Sequence, residues 1–232
     1  MSSAAITLWF LASCSEAPLP TLPRPPDVVL VVVDTLRADH LSAYGYARPT
    51  SPALAALAAR GLRFDRAYAQ SGWTLASLAS LFSGLYPFEH GVVRDTSDRT
   101  LYGRMPAART MLAESFQNAG YRTAAFVNNT FLRPEFGLGQ GFDVYDDQGA
   151  TSATIRSASD TLDAGLGWLA GADAPAFLWL HFMEPHLDYL PPASVRGTWS
   201  SPELPAALSL AVAGPNPYQR LLHREIEPDA EA

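Results

Sequence analysis

The chain has 232 residues, 48% of them hydrophobic and 17% charged, which fits a globular domain with a sizeable buried core and excludes a disordered chain. A formal charge of −7 with no basic run excludes the clustered cations that grip a phosphate backbone, so no nucleic-acid partner is expected. All 16 basic residues are Arg, and a single cysteine, Cys14, leaves no intrachain disulfide.

Ala4 to Ala12 is an apolar run too short to cross a bilayer as a helix but adequate for a signal-peptide core. It ends in Leu11, Ala12, Ser13 and Cys14, which resembles a bacterial lipobox, where the cysteine is lipidated and heads the mature protein. No Arg or Lys precedes the run, so a plain signal peptide stays open as the alternative. Glu16 to Pro26 holds five prolines in eleven residues and reads as an extended tether. The expected location is the bacterial cell envelope or periplasm, with the membrane reached through a lipid on Cys14.

Asp27 to Val33 is a continuous apolar run rich in β-branched residues, the pattern of a strand buried on both faces of a parallel sheet, and it stops at Asp34. Ligands bind at the carboxyl ends of strands in open α/β sheets, so Asp34 is placed for chemistry; the alternative is a cap on the next helix. Ser51 and Pro52 predict a helix start, with Gly61 as its stop. Phe64 to Ala69 reads as a short strand. Thr74 to Phe82 reads as a helix closed by Gly84, which puts Thr74 at a helix N-terminus. Met111 to Ala119 predicts a helix, Arg122 to Val127 a strand leading to Asn128 and Asn129, Ala153 to Leu169 a helix, and Phe177 to Phe182 a buried strand delivering His181 and His186. This alternation predicts an α/β fold with a mostly parallel central sheet flanked by helices. Residues 27–192 form the domain so predicted. Residues 193–232 read as an irregular tail with one weak helical stretch, Leu204 to Ala213.

The segment VVLVVVDTLRADHLSAYGYARPTSPALAALAARGLRFDRAYAQSGWTLASLASLFSGLYPFEHGV resembles the opening of bacterial sulfatase-like proteins of the alkaline phosphatase superfamily. The likeness continues in GYRTAAFVNNTFLRPEFGLGQGFDVYDD and HFMEPHLDYLPP, so it covers roughly residues 27 to 192 in order. It implies that Asp34 binds a divalent cation, usually calcium, with Thr35 where many members have a second Asp and Thr74 as a further ligand. Arg37 and Asp39 follow, either in the site or as a surface turn.

Aligned on the Cys/Ser-x-Pro-x-Arg signature of sulfatases, Thr74 takes the nucleophile position, Ala76 the Pro and Leu78 the Arg. Formylglycine is thereby excluded, and Thr74 would act directly through its hydroxyl, the alternative being a helix N-cap. A sulfated or phosphorylated Thr must be relieved by water or an acceptor alcohol, which phosphoryl transfer tolerates better. By resemblance His186 contacts the ester oxygen; His181 and Asn128 are candidate substrate-binding residues, and His90, Tyr86 and Pro87 look structural. Asn128 and Asn129 stand where arylsulfatases have Gly-Lys-Trp-His, and this chain has no Lys.

Family members also bring an Asp-His-Gly or Asp-Asn strand, and no such string follows Pro192, so the domain is expected to be incomplete at its C-terminus. The expected activity is hydrolysis of small-molecule sulfate or phosphate esters. The alternatives are a phosphoester transferase of the same superfamily or an inactive, envelope-anchored binding protein. If Cys14 carries a lipid, globomycin or Cys14→Ala will alter how the protein partitions to the membrane; unchanged partitioning under both treatments refutes the lipobox reading.

Overall fold

The computed structural model describes residues 24–94, 103–148, 150, 156–171, 173–186, 194–195 and 198–199. The signal, lipobox and most of the tether, and the helical stretch expected near 204–213, lie outside them. In chain order the regular elements are β1 (Val28–Val33), α1 (Pro52–Ala58), α2 (Thr74–Ser83), α3 (Pro87–His90), α4 (Leu112–Asn118), β2 (Arg122–Phe126), β3 (Val144–Asp146), α5 (Ala158–Ala170) and β4 (Ala176–Phe182). Short 3-10 turns fill the stretches after β1 and β2.

The strands form one sheet in the order β1-β4-β2-β3, and every pairing is parallel. Parallel strands need crossovers, supplied by α-helices between β1 and β2 and between β3 and β4 and by the 3-10 turns between β2 and β3, so all four carboxyl ends emerge along one rim. Register matches Val33 with Phe182 and Phe126 with Leu180. The backbone N–H of Asp34 extends the ladder by one step to the Phe182 carbonyl, at 2.9 Å.

Side chains alternate across the sheet, and each face has its own cover. On one face Val28, Leu30, Val32, Phe177, Trp179 and Ala125 meet α2 and α4 in the larger core. Aromatic contacts knit it: Phe82 of α2 packs on Trp179 with centroids 4.5 Å apart, and Phe116 of α4 stacks on Phe177 at 4.3 Å. The opposite face sets Ala124, Phe126, Leu178 and Leu180 against Ala164, Trp168 and Leu169 of α5. Gly165 allows that approach, since a Cβ there would stand 2.5 Å from the Leu180 side chain.

Several expectations change. The run before Asp34 predicts burial on both faces, yet Val29 and Val31 are 46% and 50% exposed. The reason is position: β1 is an edge strand, and α5 packs on β4 and β2. Residues 64–69 form no strand; they lie along the surface, with the Phe64 carbonyl accepting a hydrogen bond from the Tyr44 hydroxyl. Without a ladder neighbour a short β-prone segment stays irregular. Ser51 does precede α1, but its hydroxyl bonds to Ser42 rather than capping the helix, which ends at Ala58 before reaching Gly61. Helix α5 starts later than the periodicity suggests, at Ala158, because Ser157 caps it by accepting from the Asp160 N–H. β3 was not expected at all, being only three residues long.

His90 is buried and links α3 to α2. Its Nδ1 accepts the Val92 N–H at 3.0 Å, so Nε2 carries the proton and donates to the Ser80 hydroxyl at 3.0 Å. Burial holds its pKa below the ordinary 6.5, with the Arg109 charge adding to the effect. The unfolded chain therefore takes up a proton before the folded one, and this contribution to stability is lost as pH falls below that of the unfolded histidine. Thermal unfolding midpoints are expected to drop more steeply between about pH 7.5 and about pH 5.5 in the wild type than in His90→Gln; parallel profiles would contradict the buried neutral imidazole.

Candidate active site

Three strands end in polar residues on the face covered by α2. Asp34 continues the alternation of Val28, Leu30 and Val32; His181 continues Phe177 and Trp179; Asn129 continues Ala125 and Val127. Parallel pairing therefore brings them to one place. Asp34 is 8% exposed, and its Oδ2 accepts from Asn129 Nδ2 at 2.9 Å and from the Thr74 hydroxyl at 3.2 Å. His181 Nε2 faces the same oxygen at 3.5 Å.

Thr74 is the first residue of α2, with Trp73 in the cap position and no side-chain cap bond. The helix-cap alternative for Thr74 is thereby set aside, since its hydroxyl points at Asp34. The cap alternative for Asp34 goes the same way, because its carboxylate faces strand ends and Thr74 instead. As the opening residue of a ten-residue helix, Thr74 also lies among unpaired backbone N–H groups and the positive end of the dipole, an environment that favours an anion.

Burial pushes the Asp34 carboxyl up, but the imidazole of His181, the charge of His186 and the Thr74 hydroxyl outweigh it and hold the group below its ordinary value. Asp34 is thus a buried anion at neutral pH. His186 is near enough for its charge to act on Asp34, and its backbone N–H bonds to the Met183 carbonyl. Glu184, between the two histidines, accepts the Ala158 N–H at 2.7 Å, tying the loop after β4 to the start of α5.

Thr35 is exposed, and among the described residues no hydrogen bond joins it to Asp34. Its backbone is left-handed, with φ at 54°, a conformation costing a β-branched residue on the order of 1–3 kcal/mol. That turn swings the chain off the sheet directly after Asp34. Asn128 turns to the other side, donating from Nδ2 to the Arg156 carbonyl at 2.9 Å, while its Oδ1 meets His181 Nδ1 at 3.2 Å. Arg37 and Asp39 pair with each other on the surface, as a solvated turn, and the hydrogen bond from Arg37 lowers the Asp39 pKa. Ala76 and Leu78, at the signature's Pro and Arg positions, are buried core residues of α2 itself.

Sequence reasoning passed over Asn129 and Glu184. Strand parity would have found Asn129, because it shares the face of Ala125 and Val127. Nothing local marks Glu184, whose partner is 26 residues away.

A buried carboxylate, a hydroxyl and the Nε2 of His181, which has no hydrogen-bond partner, converge here and fit part of the shell of a divalent cation. Among the described residues no group of three or more His, Cys, Asp or Glu side chains is clustered to hold one.

The family model described as Sulfatase matches residues 26–209. Arylsulfatase A of Bos taurus is 33% identical over 116 residues, covering 50% of this chain and 23% of that protein. The chain thus spans about a quarter of the length of the curated relatives it matches. Among solved structures, the phosphonate monoester hydrolase of Agrobacterium radiobacter aligns with a TM-score of 0.56 and 25% identity, over 70% of this chain and 41% of that one. A protein of the alkaline phosphatase superfamily from Vibrio parahaemolyticus shares the fold, with a TM-score of 0.57 and 18% identity over 79% and 45% of the two chains.

Asn129 donates to the buried Asp34 carboxylate and its Oδ1 also accepts the Phe131 N–H at 2.9 Å. Asn129→Ala is expected to cost about 1–3 kcal/mol in urea unfolding, because a buried charge loses a donor. Asn129→Asp sets a second carboxylate against Asp34 and should cost more at pH 7 than at pH 4, where one of the pair is protonated; the same loss at both values would show that the two groups do not meet.

Proposed function

The chain belongs to the sulfatase family, and we propose that it carries the nucleophile-bearing part of a hydrolase for small-molecule sulfate or phosphate esters, with Thr74 as the attacking group. Members of this family use a divalent metal and act on sulfate esters. The observation that carries the reading is the 3.2 Å contact from the Thr74 hydroxyl to the buried Asp34 carboxylate, at the start of a helix and on the ligand-binding rim of a parallel sheet.

In this scheme Thr74 Oγ attacks the sulfur or phosphorus, the bond to the alcohol oxygen breaks, and the alcohol leaves with a proton. A divalent cation, when bound, lowers the pKa of the hydroxyl and offsets charge on the transferring group. Asp34 and Thr74 are its expected holders; Thr35, with its exposed side chain, is the weaker candidate. Backbone N–H groups at the start of α2 stabilise the anionic oxygens. His186, on the loop anchored by Glu184, is the expected contact of the ester oxygen and the group that hands over the proton. Water or an acceptor alcohol then releases the group from Thr74, giving hydrolysis or transfer. With formylglycine excluded at a threonine, elimination of sulfate from a hydrated aldehyde is not open to this chain, which favours phosphate-type esters. An envelope location through a lipid on Cys14 belongs to the same reading.

A second reading, an inactive anion-binding protein, is favoured by the sparse set of acidic and histidine ligands among the described residues. Turnover separates the two. Aryl phosphate and aryl sulfate are to be assayed with added Ca2+, Mn2+ or Zn2+, and Thr74→Ala is expected to lower kcat on the order of 10³-fold or more. Thr74→Ser should retain most of it. Turnover unaffected by Thr74→Ala removes the nucleophile, and no turnover of either ester under any cation supports the binding protein.

A further inference from the structure

The proton on His181 can be placed from its neighbours. The Arg156 carbonyl can only accept, so the Asn128 group 2.9 Å from it is the NH2. Thr161 agrees: its hydroxyl donates to the Ser157 carbonyl and so offers a lone pair to the same NH2 at 3.5 Å. Asn128 therefore turns its oxygen to His181 Nδ1 at 3.2 Å, and that oxygen cannot donate. Nδ1 of His181 carries the hydrogen. In the neutral ring, Nε2 is then a bare lone pair.

That lone pair has no hydrogen-bond partner, belongs to a fully buried side chain, and looks across 3.5 Å at Asp34 Oδ2. Two electron-rich atoms facing each other out of water repel unless positive charge lies between them, either a proton on the ring, as in an ion pair with Asp34, or a metal cation. The gap is long for a hydrogen bond. It matches the separation of two ligand atoms that share one cation with bonds of about 2.0–2.2 Å. Complete burial also removes His181 from contact with a dissolved ester. A ring nitrogen presented outward, with the other nitrogen's hydrogen held by a fixed acceptor, is the usual posture of a metal-binding histidine.

We propose that His181 is a nitrogen ligand of the cation at Asp34, held in its metal-binding tautomer by Asn128, and that the site consequently prefers Mn2+, Co2+ or Zn2+ to Ca2+. This rests on the reading of Asp34 as a metal ligand. Imidazole suits first-row transition ions and zinc, whereas calcium takes oxygen ligands, so one nitrogen donor shifts selectivity. Asn128 is in this view a positioning residue.

The test is cation binding by the purified full chain after chelator treatment, read by calorimetry and by the absorption and proton NMR spectra of the Co2+ form. The wild type is expected to bind Zn2+ and Co2+ at least about tenfold more tightly than Ca2+. His181→Gln should weaken Zn2+ and Co2+ by about 10–100-fold, and Asn128→Leu should do so by at least about tenfold, with Ca2+ little changed in both. The Co2+ protein should show a hyperfine-shifted, exchangeable imidazole N–H from Nδ1, absent in His181→Gln; in the wild type this signal decides the matter even if the variant fails to fold. A preference for Ca2+, absence of that signal, or Co2+ affinity unchanged in His181→Gln while Asp34→Ala abolishes it, overturns the inference and leaves the Asp34 reading standing. Binding insensitive to Asp34→Ala, or no binding of any cation, overturns both.

Discussion

Keeping the Asp34 carboxylate charged while it is withdrawn from water is the demand around which this rim is built. An ionised carboxylate in a dry setting must be met by donors or opposite charge. Thr74, Asn129 and His181 come from three separate elements, and each reaches the same oxygen. No local stretch of chain could do this. A parallel sheet with β4 between β1 and β2 does, because the register sets the strand ends side by side and the two-residue period turns the correct residues to one face.

Behind the polar rim, the larger core supplies rigidity. Phe82 wedges against Trp179 one strand step below His181, so the helix that presents Thr74 and the strand that presents His181 are fixed to each other by the same aromatic contact. A short hydroxyl side chain has little reach, and positioning it requires a fixed backbone rather than a flexible arm. The left-handed turn at Thr35 is part of the same geometry: the chain leaves the sheet at once, and α2 can come in over the exit of β1. Local strain of this kind is common beside functional residues because surrounding packing holds it in place.

Much of this was legible in the residues. The β-branched run into Asp34, the helix from Thr74 to a glycine in the left-handed region, and the buried strand carrying His181 all follow from periodicity and stop signals. The family strings directed attention to Asp34, Thr74 and His186. What could not be read depends on strand order. The exposure of Val29 and Val31 follows from β1 lying at the edge, and a run of valines looks the same at an edge or in the middle. The choice between Asn128 and Asn129 is likewise a question of parity after β2, where Asn129 takes the rim and Asn128 faces α5. β3 escaped notice because three residues hold too little pattern.

The pairing of β1 with β4 has a consequence for the order of folding. Asp27 accepts a hydrogen bond from the N–H of Ala176, 149 residues further on, and β1 has no other strand neighbour among the described elements. A ribosome therefore makes the first strand long before its partner exists, and closing so large a loop costs entropy that only the finished sheet repays. The β2–β3 pair and its helices can gather first around local contacts. Asp34 thus stays hydrated while β1 waits, and becomes a buried anion only in the docking step that joins β1 to β4.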